Sequence, residues 1–337
     1  MQTRFISTRA FRVFACAVAV LLAATTSPSF AVSFSYDLGP GCTTMTVSRR
    51  TITCNDGITI GLDISVMRAC PLFSLVPHGA DYALDCATPN VTGLWWREEE
   101  NGRGTWVSHQ GDTIFAVDYA YDALGMPRWH TLIGAKTADG SFAGNVITTG
   151  GPSFSAMTFE ARNVWSHPVG PGWIIVDDAD HLRANFADGS VRALVRQQFG
   201  PLPTCSFASS VDPATSTNYT DLWWNPTESG WGINLAHQGD TIFAAWFTYG
   251  LDGSPLWLVA TTTKSAPGTY TGAIYRAVGP AGPAMQATAV GNATFTFADG
   301  NSATFAYSVQ LAGMPAASAG MKSITREIFA APGTTCQ

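Results

Sequence analysis

The sequence predicts an all-β protein: two homologous antiparallel meander barrels, or sandwiches, of seven to eight strands each, preceded by a small disulfide-rich β head. Three observations carry that expectation. A long part of the 337-residue chain repeats itself at an offset of 128 residues. Inside each copy, runs of β-forming residues alternate with turn pairs such as Gly-Asp and Asp-Gly, and no helical period appears. Six cysteines follow a leader-like N-terminus, and an even number reads as disulfides in an exported chain.

Residues 1–31 read as a signal peptide. Arg4, Arg9 and Arg12 make a basic start, Phe14 to Ala24 is an apolar run too short to span a bilayer, and Ser29-Phe30-Ala31 offers small residues for cleavage near Ala31. Cleavage takes the formal charge from −6 to −9 and leaves a secreted or periplasmic chain with no later membrane span. Residues 32–90 form the head. Cys42, Cys54, Cys70 and Cys86 lie in it, and Thr51 to Ile60 is a hairpin pattern turning at Asn55-Asp56-Gly57. So short a segment has little core and needs disulfides to hold it. Four cysteines allow three connectivities, of which Cys42–Cys54 with Cys70–Cys86 is the preferred one.

The repeat fills the rest, with copy one at 91–200, a linker at 201–217 and copy two at 218–337. Thr92-Gly93-Leu94-Trp95-Trp96 returns as Thr220-Asp221-Leu222-Trp223-Trp224, and both copies carry His-Gln-Gly-Asp-Thr-Ile-Phe-Ala, at His109 to Ala116 and His237 to Ala244. The pairs Glu100/Glu228, Tyr121/Tyr249, Gly125/Gly253, Trp129/Trp257 and Gly151/Gly279 keep the same offset, and Arg196 and Arg326 close the copies. Phe-Ala-Asp-Gly reappears at Phe186 and Phe297 with shorter spacing, which implies residues lost from copy two in between. Closure into a meander barrel is preferred to a sandwich, because it removes the exposed edges of many β-rich strands. Cys205 and Cys336 bracket copy two, so a bond between them staples its ends, in principle worth roughly 4 to 5 kcal/mol.

The string Leu222-Trp223-Trp224-Asn225-Pro226-Thr227-Glu228-Ser229-Gly230-Trp231-Gly232, with the His-Gln-Gly-Asp block and Pro255-Leu256-Trp257, resembles a Trp-rich module recurrent in exported proteobacterial proteins. The resemblance covers both copies and implies an exported bacterial protein, with little about chemistry. Copy one departs from it, having Arg97, Glu98 and Arg103 where copy two has Asn225, Pro226 and Trp231.

Composition narrows the function. Charged residues are only 12%, with three lysines, so no cationic surface for nucleic acid is available. No metal-ligand spacing, nucleophile elbow or phosphate loop occurs, so neither metal nor cofactor is expected. All eleven tryptophans fall inside the repeats. Neighbouring residues in a strand face opposite ways, so one indole of each Trp-Trp pair points into a core and the other is free to line a mouth or platform. Candidate ligand-binding residues are therefore Trp95, Trp96, Trp129, Trp223, Trp224, Glu228, Trp231, His237 and Trp257. They suit a glycan, a polymer or a small apolar ligand, and two linked sites gain avidity.

Two rival functions stand beside binding. One is a secreted polysaccharide- or polymer-degrading enzyme using Glu100, His109 and His130 of copy one. The other is a structural or adhesive surface protein whose tryptophans are all core. Copy one also has Arg103, Asp118, Arg128 and His130 where copy two has Trp231, Trp246, Leu256 and Leu258. Such groups are costly to bury unpaired, so copy one is expected to present a polar pocket or a solvated face. The sequence does not specify an oligomeric state.

Overall fold

The computed structural model describes residues 89–137, 139–208 and 212–337, and the backbone of six short strands upstream of them. It divides into two units, Met1–Pro89 and Asn90–Gln337. In the first, β1 (Ser35–Tyr36), β6 (Asp81–Cys86) and β5 (Phe73–His78) form one sheet in that order. A second sheet joins β2 (Met45–Val47), β3 (Thr51–Cys54) and β4 (Thr59–Gly61), so the hairpin expected around Asn55-Asp56-Gly57 is present. The signal peptide and the pairing of Cys42, Cys54, Cys70 and Cys86 lie outside the described residues.

The second unit holds two closed eight-stranded barrels. Barrel one comprises β7 (Gly93–Trp96), β8 (Gly104–Gln110), β9 (Thr113–Tyr121), β10 (Pro127–Lys136), β11 (Phe142–Gly150), β12 (Trp165–Val176), β13 (His181–Asn185) and β14 (Arg192–Arg196). After β15 (Cys205–Ala208), barrel two comprises β16 (Asp221–Trp224), β17 (Gly232–Gln238), β18 (Thr241–Tyr249), β19 (Pro255–Ala266), β20 (Thr269–Val278), β21 (Gln286–Phe297), β22 (Ser302–Val309) and β23 (Ser318–Arg326), and β24 (Gly333–Cys336) ends the chain's strands. Each barrel is an antiparallel meander in which the last strand pairs with the first, β14 with β7 and β23 with β16. Closure leaves no free edge in either.

Eight strands enclose a space that side chains fill completely. Ile114, Leu132, Phe142 and Ile174 pack the interior of barrel one. Trp246, Leu258, Phe295 and Phe305 pack that of barrel two, where a void of only about 10 Å³ remains. The first tryptophan of each pair belongs to these interiors, as alternation requires. Trp95 and Trp223 are wholly buried, their indole N–H groups bonded to Val91 O and Tyr219 O at 3.0 Å. Over each lies the arginine that closes its copy, Arg196 above Trp95 and Arg326 above Trp223.

Cys205 and Cys336 are direct partners across the β15–β24 ribbon and form the expected disulfide. The segment read as a linker thus contributes a strand. Its ribbon does more than join the ends of copy two, because Phe207 meets the His109 ring edge-on and the Thr334 hydroxyl donates to His109 O.

The two Phe-Ala-Asp-Gly motifs are not equivalent positions, which corrects the inference of residues lost between them. Phe186 precedes the β13–β14 turn and Phe297 ends β21 before the β21–β22 turn. Both turns use the same device, an aspartate oxygen accepting the backbone N–H two residues on, Asp188 from Ser190 and Asp299 from Asn301. Copy two does lack residues between β20 and β21, where its loop is shorter than the β11–β12 loop of copy one, but a longer β22 and a longer β22–β23 connection make up the difference.

Candidate functional site

The strand sequence Thr-Ile-Phe-Ala is apolar on both faces, which a barrel strand with one wet face does not need. In β9, Ile114 and Ala116 enter the interior, whereas Val117 and Tyr119 join the apolar cluster of barrel two. The outward faces of β9 and β10 pack on those of β18 and β19 along a seam with approximate two-fold symmetry. Trp129 Nε1 donates to Thr248 O at 3.1 Å, and Trp257 Nε1 to Ala120 O at 3.0 Å. Gln110 Nε2 donates to Glu327 O at 2.8 Å, and Gln238 Nε2 to Gln197 O at 2.9 Å. Gly279 N donates to Gly125 O at 2.9 Å, and Gly151 N to Gly253 O at 3.1 Å. Tyr119 and Phe247, equivalent residues, meet each other at 5.9 Å. Every one of these bonds has its counterpart 128 to 130 residues on, so the duplication is an isologous dimer made within one chain.

Gly125 and Gly253 show what the seam demands of the backbone. Both have φ +75, and a Cβ on Gly125 would stand 2.8 Å from Gly279 O. Trp129 and Trp257 are sealed between the barrels, with 5% and 1% of their surfaces exposed. Burying each indole removes on the order of 200 Å² of mostly apolar surface, roughly 5 kcal/mol.

Where the barrels diverge, the seam opens into two grooves related by the same symmetry. One, of about 390 Å³, is lined by Trp96, Leu94 and Tyr119 of barrel one and by Phe243, Trp257 and Val259 of barrel two. The other, of about 240 Å³, is lined by Trp224, Trp231 and Phe247 of barrel two and by Phe115, Trp129 and Thr131 of barrel one. In each, the outward tryptophan of one module forms a half-buried wall and a sealed tryptophan of the other forms the floor. Five of the nine sequence-derived ligand-binding candidates, Trp96, Trp129, Trp224, Trp231 and Trp257, line these grooves. Trp95 and Trp223 lie in the barrel interiors. Glu228 accepts from Trp231 Nε1 at 3.1 Å and from Lys322 Nζ at 2.8 Å.

The remaining candidate, His237, anchors a strand. Its Nδ1 accepts the Tyr219 N–H at 3.2 Å, its Nε2 meets the Tyr270 hydroxyl at 2.9 Å, and it stacks on Tyr219. Burial pushes its pKa down to about 4. His109 repeats the arrangement: its Nδ1 accepts from Val91 N at 3.3 Å, and Phe142 and Phe207 contact its ring by their edges.

Glu100, His109 and His130, the residues for an enzymatic reading, do not converge. His109 pairs with Ile114 near one end of β8, whereas Thr105 pairs with Asp118 four residues along, about 13 Å away at the rise of a strand. Glu100 belongs to that second end, where Arg192 Nε donates to it at 2.8 Å. His130 is the cross-strand partner of Asp118, and burial lowers its pKa. Two of the ionisable residues peculiar to copy one, Arg103 and Asp118, therefore belong to a buried network. Asp118, 1% exposed, accepts from Arg192 Nη1 at 2.7 Å, Arg103 Nη2 at 2.9 Å and Thr105 Oγ1 at 3.1 Å. Arg128 pairs outside it with Asp122 at 2.8 Å. Copy two fills the same region with Trp246, packed on Phe305 and Tyr307 and covered by Phe154 from the β11–β12 loop.

One residue of the narrower groove escaped the sequence reading. Glu327 lines it, on the outward face beside Leu222, and burial together with the nearby charge of Asp221 pushes its pKa up to about 7. Its counterpart is Gln197, each following the closing arginine of its copy, so the difference between copies at that position was the available signal.

No protein-family model, curated protein or solved structure matches this chain. Among the described residues no group of His, Cys, Asp and Glu is placed to hold a metal ion, and no helix is long and apolar enough to cross a membrane.

Proposed function

We propose that this protein is an exported, non-catalytic binding protein whose ligand sites are the two grooves along the seam. The carrying observation is that both grooves set a half-buried indole of one module opposite a buried indole of the other. An aromatic wall facing an aromatic floor suits flat or compact apolar groups. Volumes of about 240 and 390 Å³ lie at or below the small end of ligand sites, which favours a single ring or short alkyl group over a long threaded chain. Small apolar ligands, or one ring of a glycan or polymer, fit that size. Export is supported by the disulfide and by the resemblance of the repeats to an exported proteobacterial module.

The filled barrel interiors favour the seam over the lumen as the place of binding. The separation of Glu100 from His109 speaks against a paired acid and base in copy one. The test is a panel of glycans, polymers and small aromatic and alkyl compounds titrated by calorimetry, with released products assayed in the same samples. Binding without product, weakened at least fivefold by Trp96→Ala or Trp224→Ala, is the expected result. Product formation, or binding indifferent to both substitutions, refutes the reading.

A further inference from the structure

The carboxylates around the narrower groove are matched by cations, with one exception. Asp221 is held by Arg326 Nη1 at 3.0 Å, and Glu228 by Lys322 at 2.8 Å. Glu327 makes no side-chain hydrogen bond or ion pair among the described residues, although it lines a groove whose other walls are Trp224, Trp129, Trp231, Phe115 and Phe247. Barrel one adds only uncharged groups there, including Thr131 and Ser166. An unmatched acid against aromatic surface is costly to the folded chain, and relief comes from whatever brings a positive charge into the groove.

The companion groove isolates the feature. At equivalent positions it has Gln197 for Glu327 and Arg103 for Trp231. The two sites share an aromatic frame and differ in charge: one carries a carboxylate and an additional indole, the other an amide and a guanidinium. A small inorganic cation does not suit the first, since a single carboxylate among indoles cannot replace its water shell. An alkylated ammonium does. Its charge is spread over methyl groups, it is weakly hydrated, and aromatic faces attract it through their quadrupoles while the carboxylate supplies the counter-charge.

We infer that the groove bearing Glu327 binds an organic cation of the quaternary ammonium class, and that the groove bearing Gln197 does not. This rests on the reading of the grooves as ligand sites and adds a charge preference to one of them. Among the charged groups of barrel two, Asp221 bears on Glu327 and raises its pKa, Arg326 pairs with Asp221, and Lys322 pairs with Glu228. The acid titrates near neutrality when the groove is empty, so cation binding is expected to be coupled to loss of its proton.

The experiment compares choline with its neutral isostere 3,3-dimethylbutanol by isothermal titration calorimetry of the full chain. At pH 8 choline is expected to bind at least tenfold more tightly than the alcohol, and Glu327→Gln to bring that ratio to about one. On the unaltered protein, choline affinity should fall about tenfold between pH 8 and pH 6 as Glu327 takes up its proton, which keeps the test open if the variant fails to fold. Equal binding of both compounds at pH 8, or a choline affinity unchanged between pH 8 and pH 6, overturns the charge preference and leaves the grooves as apolar sites. A choline preference that survives Glu327→Gln overturns the assignment to this residue. Binding of neither compound up to millimolar concentration overturns the cation site, whereas the wider panel separately decides whether the grooves bind anything.

Discussion

Asp118→Asn tests whether the charged residues of copy one form a sealed network or a wet face. Asp118 is 1% exposed and accepts from two arginines, Arg192 at 2.7 Å and Arg103 at 2.9 Å. The substitution keeps the shape and one acceptor oxygen but removes the charge. Arg192 keeps Glu100, whereas Arg103 keeps only the half-exposed Asp188 at 3.5 Å. Removing one member of a buried charged group costs about 3–5 kcal/mol, because a partner is left buried and uncompensated. That is a large part of the 5–15 kcal/mol that holds a typical domain together. Asp122→Asn is the reference, since the Asp122–Arg128 pair is equally short at 2.8 Å but both side chains are about 30% exposed, and such pairs contribute less than about 1 kcal/mol. Urea unfolding of the disulfide-intact chain, followed by tryptophan fluorescence, measures both. A cost below about 1 kcal/mol for Asp118→Asn, or one equal to that of Asp122→Asn, would refute the claim that this end of barrel one is closed to water.

Two further outcomes follow from the seam and from the buried ionisable groups. Gly125→Ala and Gly189→Ala impose similar backbone strain, at φ +75 and +76, but a Cβ at Gly125 meets Gly279 O at 2.8 Å and one at Gly189 meets nothing within 4 Å. Both should lose about 1–2 kcal/mol from strain, and Gly125→Ala a further 1–3 kcal/mol or so from the forced separation of the barrels. Equal losses in urea unfolding would mean that the seam is loose. The pH dependence has two opposed contributions. His237, lowered to about 4, contributes stability that is present above pH 6.5 and lost as the pH falls toward 4. Glu327, raised to about 7, contributes stability that is present below about pH 4.5 and lost as the pH rises through 7. Glu327→Gln should therefore steepen the rise of stability between pH 4.5 and 6.5 by up to about 1.4 kcal/mol per pH unit, and an unchanged slope in pH-stepped urea melts would place Glu327 in water.

Much of this architecture was legible in the chain itself. The 128-residue offset announced two similar modules, and runs of β-forming residues separated by Gly-Asp and Asp-Gly turns announced meander strands. The Trp-Trp pairs were readable for a stereochemical reason, since adjacent strand residues cannot share a face: Trp95 and Trp223 had to go one way, Trp96 and Trp224 the other. The placing of Cys205 and Cys336 at either end of copy two pointed to the bond between them. Even the seam left a mark in Thr-Ile-Phe-Ala, a strand apolar on both sides, although a strand cannot say what covers its second face.

What only the tertiary structure decided is which repeated residues meet, and across what. Gln110 holds the strand end after Arg326, and Gln238 the one after Arg196, more than 200 and about 40 residues away in sequence. Distances of that kind are set by how two finished barrels dock, and local propensity carries no information about them. The same docking turned Trp129 and Trp257 from candidate binding surfaces into groove floors and set Glu327 against aromatic walls from the other barrel, while the pairing of β8 with β9 inside barrel one brought Arg103 to Asp118. The sequence by itself determined the strands, their turns and which side chains face inward, because those follow from backbone geometry and the next few residues. The pairing of one barrel's outer face with the other's, and the grooves left where the two surfaces curve apart, depend on the summed shape of sixteen strands, which exists only once they have closed.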